Sequence, residues 1–461
     1  MESTTKRDNS IWPRRATVLF GVLLAAYSVL MYVLYYRQAT HTGEWFMSDI
    51  DAYLQEMQGI DSGFDFPYPI YFAFSKWLGA LLSHTLGPVE GLAVGSSVAL
   101  TILNSLSVVA LVYFMHLLLT PYYEKCRHPE ELSLLTILLT FAMFFVSMLY
   151  APKGVYLPGM DHKYLGVFSP NPLHNQTYMA TRPFSIVAFF LFARILSYYE
   201  AVGRGNHATD SSGGIPVGRD MTMSEPAGRQ KATELVRMAA PAQWKQDYFL
   251  FGLFLFLTTM TKPSFTLVLG SCAFIILLVK FALAKGRTLR ANLYLGLTFV
   301  PTVLVLLYQF GGVFGSGGHA GEDGGIGFGI GAAWSVYTHN IVLAIMLGMA
   351  FPGFFLLCNL KKLKSDPLFR FTWIFTITGF LEFLCLFEKG DRFIHMNFCW
   401  GYMHAMFFAF AVSIICLVQN TIKRSQHILV LVAEWLILAW HLFCGVIYFL
   451  YIYSGQFYYS F

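Results

Sequence analysis

The sequence predicts an all-α, polytopic transmembrane bundle of about eleven helices, with interfacial helices at its outer face. Three observations predict it. Of 461 residues, 56% are hydrophobic and only 12% charged, against about 25% charged in a soluble domain. Apolar runs long enough to cross about 30 Å of hydrocarbon recur along the chain. Lys and Arg concentrate in alternate connections between those runs, as expected of a chain threaded to and fro across a membrane. Residues 1–461 read as a single membrane domain.

The first run, 16–36, follows Arg14 and Arg15 and reads as an uncleaved first span. The others lie near 91–119, 132–150, 178–199, 247–260, 264–284, 292–310, 341–359, 371–387, 397–419 and 428–453. With the N-terminus in the cytoplasm, the inner segments and their adjoining helix ends hold 23 of the 31 Lys and Arg residues. That arrangement puts the C-terminus outside. Residues 37–90 then form the first outer loop. Within it, Tyr68–Ser83 reads as an amphipathic helix in the outer interface, with Trp77 and the tyrosines at headgroup depth; a re-entrant segment is the alternative. Residues 200–246, rich in Gly, Ser and mixed charge, read as a flexible cytoplasmic loop. Gly311–Gly331, with eleven glycines in 21 residues, reads as a mobile outer loop, either a substrate lid or a linker.

The net charge of +5 is spread over many short loops, which does not describe a nucleic-acid surface. The seven cysteines form no CxxC pair and lie mostly inside spans, so they read as small buried hydrophobes.

The polar motifs gather on the outer side. Ser48-Asp49-Ile50-Asp51 follows the first span. A carboxylate here can take a proton from an attacking hydroxyl, so Asp49 and Asp51 are the candidate catalytic residues. The same residues also suit a helix N-cap ahead of Ala52–Met57. The third-to-fourth connection carries Lys153, Asp161, His162, His174, Asn175 and, at its end, Arg182. Such a set suits hydroxyl and phosphate recognition, with Arg182 as a bidentate phosphate ligand. Asp161-His162 leaves a divalent metal open, and Asn175-Gln176-Thr177 matches a glycosylation acceptor. Lys262 stands in the turn Thr261-Lys262-Pro263-Ser264, as a snorkelling or a phosphate-binding cation. Glu388, Arg392 and His395 lie between the ninth and tenth spans, as an ion pair joining helix ends or as ligand contacts. Glu382, Glu434 and His441 fall within spans, where ionisable side chains mark functional candidates. One reaction centre requires Asp49, Asp51, His174, Arg182, Lys262, Arg392 and His395 to line a common cavity.

In this pattern the chain resembles the GT-C superfamily of integral-membrane glycosyltransferases. The resemblance rests on many spans after a cytoplasmic N-terminus, and on an acidic motif just after the first helix, Ser48-Asp49-Ile50-Asp51. It extends to an outer loop that continues into interfacial helices, and to Ser169–Thr177 and Glu388–Arg392, similar to stretches in bacterial members of this type. It implies an inverting transfer on the outer face of a bacterial plasma membrane. The donor is a polyprenyl-phosphate sugar, the acceptor a cell-envelope glycan or lipid, and an Asp of the first loop the base. A glycolipid or polar-solute transporter, and a non-catalytic partner in polysaccharide assembly, are the competing readings.

Overall fold

The computed structural model describes residues 12–41, 45–123, 126–149, 164–205, 241–286, 288–315 and 324–457. Among them, nine helices are long and apolar enough to cross a membrane, and the chain is a multi-pass integral membrane protein. Helix α1 (Arg14–Thr40) spans 27 residues, about 40 Å at 1.5 Å per residue. The short α2 (Ile50–Gln58) ends at Gly59, whose φ of 75° lets its N–H return to the last carbonyls. Helices α3 (Pro69–Leu86) and α4 (Pro88–Tyr123) form a hairpin turned at Gly87.

Helix α3, expected as an amphipathic interfacial helix, packs lengthwise on α4, because Gly79, Gly91 and Gly95 bring the two backbones together. Trp77 is exposed, but Tyr71 is fully buried and bonds Ser96 at 2.7 Å. Helix α1 is tied to α4 by Asn104, whose amide donates to Tyr27 and Tyr35.

Helix α5 (Pro129–Met143) has only 15 residues. The chain then unwinds, and Asn171 donates to the freed carbonyls of Met143 and Val146 at 2.9 and 2.7 Å. Helices α6 (Gln176–Gly205) and α7 (Pro241–Thr261) extend into the ends of the segment read as a cytoplasmic loop; residues 206–240 lie outside the described residues. Helices α8 (Ser264–Leu283), α9 (Leu289–Phe314), α10 (Ile341–Cys358), α11 (Pro367–Cys385), α12 (Cys399–Lys423) and α13 (Ile428–Tyr453) complete the bundle.

The core centres on α12, buried on all sides from Cys399 to Val418. A helix apolar all round belongs in such a place. Its Phe408 stacks on Phe189 of α6 at 3.9 Å between centroids. Small residues permit the contacts around it: a Cβ on Gly401 would meet Val268 and Ser264 of α8.

The bundle is not wholly helical. Strand β1 (Ile326–Phe328) pairs antiparallel with β2 (Leu386–Glu388), with Ile326 opposite Glu388. The Gly-rich segment is thus tied down at its C-terminal end, and its glycines admit the Phe387 ring: a Cβ on Gly327 would lie 2.5 Å from it. Residues 316–323 lie outside the described residues.

Glu434 and His441 acquire structural roles. Helix α10 kinks at Met349 ahead of Pro352. The Phe351 N–H donates to His441 Nε2 at 3.2 Å, so Nδ1 carries the ring proton and donates to the Ser147 carbonyl at 2.6 Å. Glu434 accepts from Asn359 and Gln426.

Candidate active site

The site is built on the N-terminus of α6. Residues 168–175 run through the buried interior as irregular backbone, with Phe168 at a φ of 68°. Such backbone survives in a membrane protein only where protein satisfies its polar groups. Arg182 does this. Its Nη2 donates to the Pro170 carbonyl and to Asn171 Oδ1, both at 2.6 Å. Its guanidinium packs over Phe407, Tyr178 and Phe144. It is 1% exposed and lines neither cavity described below. The expected phosphate ligand is therefore a buried clamp on the turn that presents the site, because Arg182, nearly two turns into α6, faces the core.

Asn175 is the N-cap of α6. Its Oδ1 accepts the Tyr178 N–H at 2.8 Å, as a capping side chain does. That bond fixes the amide, so Nδ2 faces Asp49 and donates to its Oδ2 at 2.5 Å. Asn175 is 2% exposed, which leaves no room for a glycan on this acceptor motif in the folded chain. Asp49 occupies the N-cap position of α2, but its side chain caps nothing. Its own N–H bonds the His174 carbonyl at 3.0 Å, fastening the first loop to α6. Gln176 adds a second fastening through Gln38 and Ser48.

Burial pushes the Asp49 carboxyl up to about 6, against the pull of Lys262 and of hydrogen bonds from Asn175 and Tyr53. Lys262, 7% exposed, sits in the α7–α8 turn with its ammonium over the rings of Trp400 and Tyr68. Burial lowers it to about 8, and Asp49 opposes that fall. His174, buried beside Trp400 and facing the Lys262 charge, is lowered to about 3 and stands neutral.

Two cavities meet here. The polar one, about 490 Å³, is lined among others by Asp49, Asp51, His174, Asn175, Lys262, Arg392 and His395. Six of the seven residues expected to share a cavity do so; Arg182 does not. Asp51 follows on the first turn of α2, exposed and pushed upward by partial burial. The His395 ring lies 5.3 Å from that of Phe64. The apolar cavity, about 430 Å³, runs between α8 and α9 past Leu267, Val303, Leu306, Leu307, Phe310 and Phe314. Asp65, Tyr68, Lys262, Arg392, Asn397 and Trp400 line both cavities.

At that common wall Arg392 pairs with Glu388, Nε to Oε2 at 3.3 Å. Asn397 also donates to Glu388, whose carboxyl burial raises while Arg392 draws it down. Glu388 lines the apolar cavity only. Lys153, Asp161 and His162 lie outside the described residues. Among the described residues no three His, Cys, Asp or Glu side chains gather as a metal site.

Sequence reasoning missed Tyr53, Tyr68, Asp65, Thr177, Asn397 and Trp400. Tyr68 and Asn397 sit beside helix starts, and Thr177 lies in the Asn175-Gln176-Thr177 motif, but the sequence assigns no chemistry to them. No family model, no curated protein and no solved structure matches the chain.

Proposed function

We propose that this protein is a GT-C-type glycosyltransferase of the bacterial plasma membrane. It moves a sugar from a polyprenyl-phosphate donor to a glycan or lipid acceptor of the cell envelope. The N-terminus is cytoplasmic, the C-terminus outside, and the site faces outward. About eleven spans are assigned by counting α5 and α7, and the alternating basic loops support that orientation.

The observation that carries the reading is the common wall. A polar cavity holding a partly buried carboxylate meets an apolar cavity, and Lys262 and Arg392 stand where they join. The apolar cavity suits a prenyl tail, the wall a phosphate, and the polar cavity a sugar and its acceptor. In the reaction the acceptor oxygen attacks the anomeric carbon and its proton passes to Asp49. The bond from that carbon to the phosphate oxygen breaks with inversion, and the electron pair leaves on the phosphate. The Lys262 ammonium faces that developing charge, as preorganised groups do in catalysis. Arg392, already sharing Glu388, contributes orientation more than net charge.

Glu434 and His441 are engaged in holding helices together, which weakens the transporter reading. Protein in liposomes, supplied with radiolabelled polyprenyl-phosphate sugars and envelope acceptors, tests the proposal. Protein-dependent turnover supports it; movement of label across the bilayer without turnover overturns it in favour of transport, and neither in favour of an assembly partner.

A further inference from the structure

Asp49 and Lys262 carry opposite charges into one cavity, yet among the described residues they form no ion pair within 4 Å. Opposite charges in a site of low dielectric attract strongly, so something holds them apart. They are linked instead through Asn175 and Thr177, and Thr177 is completely buried. Its Oγ1 accepts from Lys262 Nζ at 3.0 Å and donates to Asn175 Oδ1 at 3.1 Å. Asn175 in turn donates to Asp49. The Tyr53 hydroxyl lies 3.0 Å from the same oxygen. One hydroxyl thus satisfies the ammonium and orients the amide that holds the carboxylate.

We propose that Thr177 is a positioning residue that keeps the base and the cation of this site from collapsing into an ion pair. The inference rests on the functional reading above for its purpose, but its geometry stands without it. A collapsed pair would leave Asp49 a weaker base and would take Lys262 away from the wall where a phosphate would lie. The titratable and charged groups facing Lys262 are Asp49 ahead of α2, His174 ahead of α6, Glu388 on β2, Arg392 beyond it, and Cys399 and His404 of α12. Of these, Asp49 acts on it most strongly.

The test is the pH dependence of Lys262 acetylation by acetic anhydride, read by peptide mass spectrometry on the full-length protein in nanodiscs. Wild-type protein labels with a midpoint near pH 8. Thr177→Val removes the hydroxyl at nearly constant volume. The freed ammonium then closes on Asp49, its midpoint rises, and labelling at pH 8 slows several-fold. Thr177→Ser keeps the hydroxyl and labels like wild type. If Thr177→Val does not fold, Thr177→Ala carries the same prediction. A wild-type midpoint at the ordinary surface-lysine value, or an unchanged or lowered midpoint in the variant, overturns the proposal.

In the transfer assay Thr177→Val lowers kcat with the acceptor KM unchanged, and the two limbs of the pH profile move apart. Absence of turnover in wild type removes the functional reading, while the labelling result still decides the role of Thr177.

Discussion

At the scale of the residue, the environment of Asp49 and Lys262 sets a pH window. Asp49 acts as a base only when ionised, so transfer rises as pH passes upward through about 6. Lys262 holds phosphate only when protonated, so transfer falls as pH passes through about 8. The expected kcat/KM profile is a bell with limbs near those values. A flat profile from pH 5 to 9 would remove both assignments. Arg182 gives the opposite kind of prediction. Replacing it by Ala unpairs Asn171 Oδ1 in the core and leaves the Pro170 carbonyl with only the longer bond from the Tyr178 hydroxyl at 3.3 Å, at about 1–3 kcal/mol for the unpaired group. Arg182→Ala therefore lowers the unfolding temperature in detergent. In whatever protein remains folded, the donor KM changes little, whereas a selective rise in donor KM would return Arg182 to the phosphate. Its residue type and place at a helix start were readable. Its direction into the core was not, because that depends on how the buried turn 168–175 folds over it.

At the scale of the element, close packing through glycine decides where helices sit. A Cβ on Gly445 of α13 would collide with the Phe145 carbonyl. Backbone cannot yield there as a flexible side chain can, and overpacking costs about 1–3 kcal/mol or more. Gly445→Ala should shift α13 and strain the His441 bond to Ser147 beside it; thermal unfolding well below wild type checks this, and an unchanged midpoint contradicts it. The runs that made helices were legible because an apolar span has few alternatives in lipid. Ten of the eleven expected runs fall on helices or their ends, while in the run 132–150 the helix stops at Met143. The α3–α4 hairpin was not legible as packing, since Gly79, Gly91 and Gly95 show their purpose only when aligned across two helices. The β1–β2 ribbon was hidden for a related reason: three-residue strands in a Gly-rich stretch carry too little pattern for period-2 reading.

At the scale of the whole molecule, the acidic pair Asp49 and Asp51, Lys262 and the Glu388–His395 segment are far apart in sequence and meet at one end of the bundle. That convergence was legible from topology, because basic loops fixed which connections share a side. The partition into polar and apolar cavities was not, since it depends on α9 standing off from α8 and leaving the gap lined by Val303 and Phe310. The central claim is that Asp49 takes the acceptor proton across this junction. Single-turnover transfer with Asp49→Asn, loaded beforehand with radiolabelled polyprenyl-phosphate sugar, tests it most directly. Asn keeps the shape but not the basicity, so the account predicts donor bound as in wild type and transfer slowed by about 10²–10⁴-fold. Transfer at the wild-type rate from a folded, donor-loaded Asp49→Asn protein would contradict it.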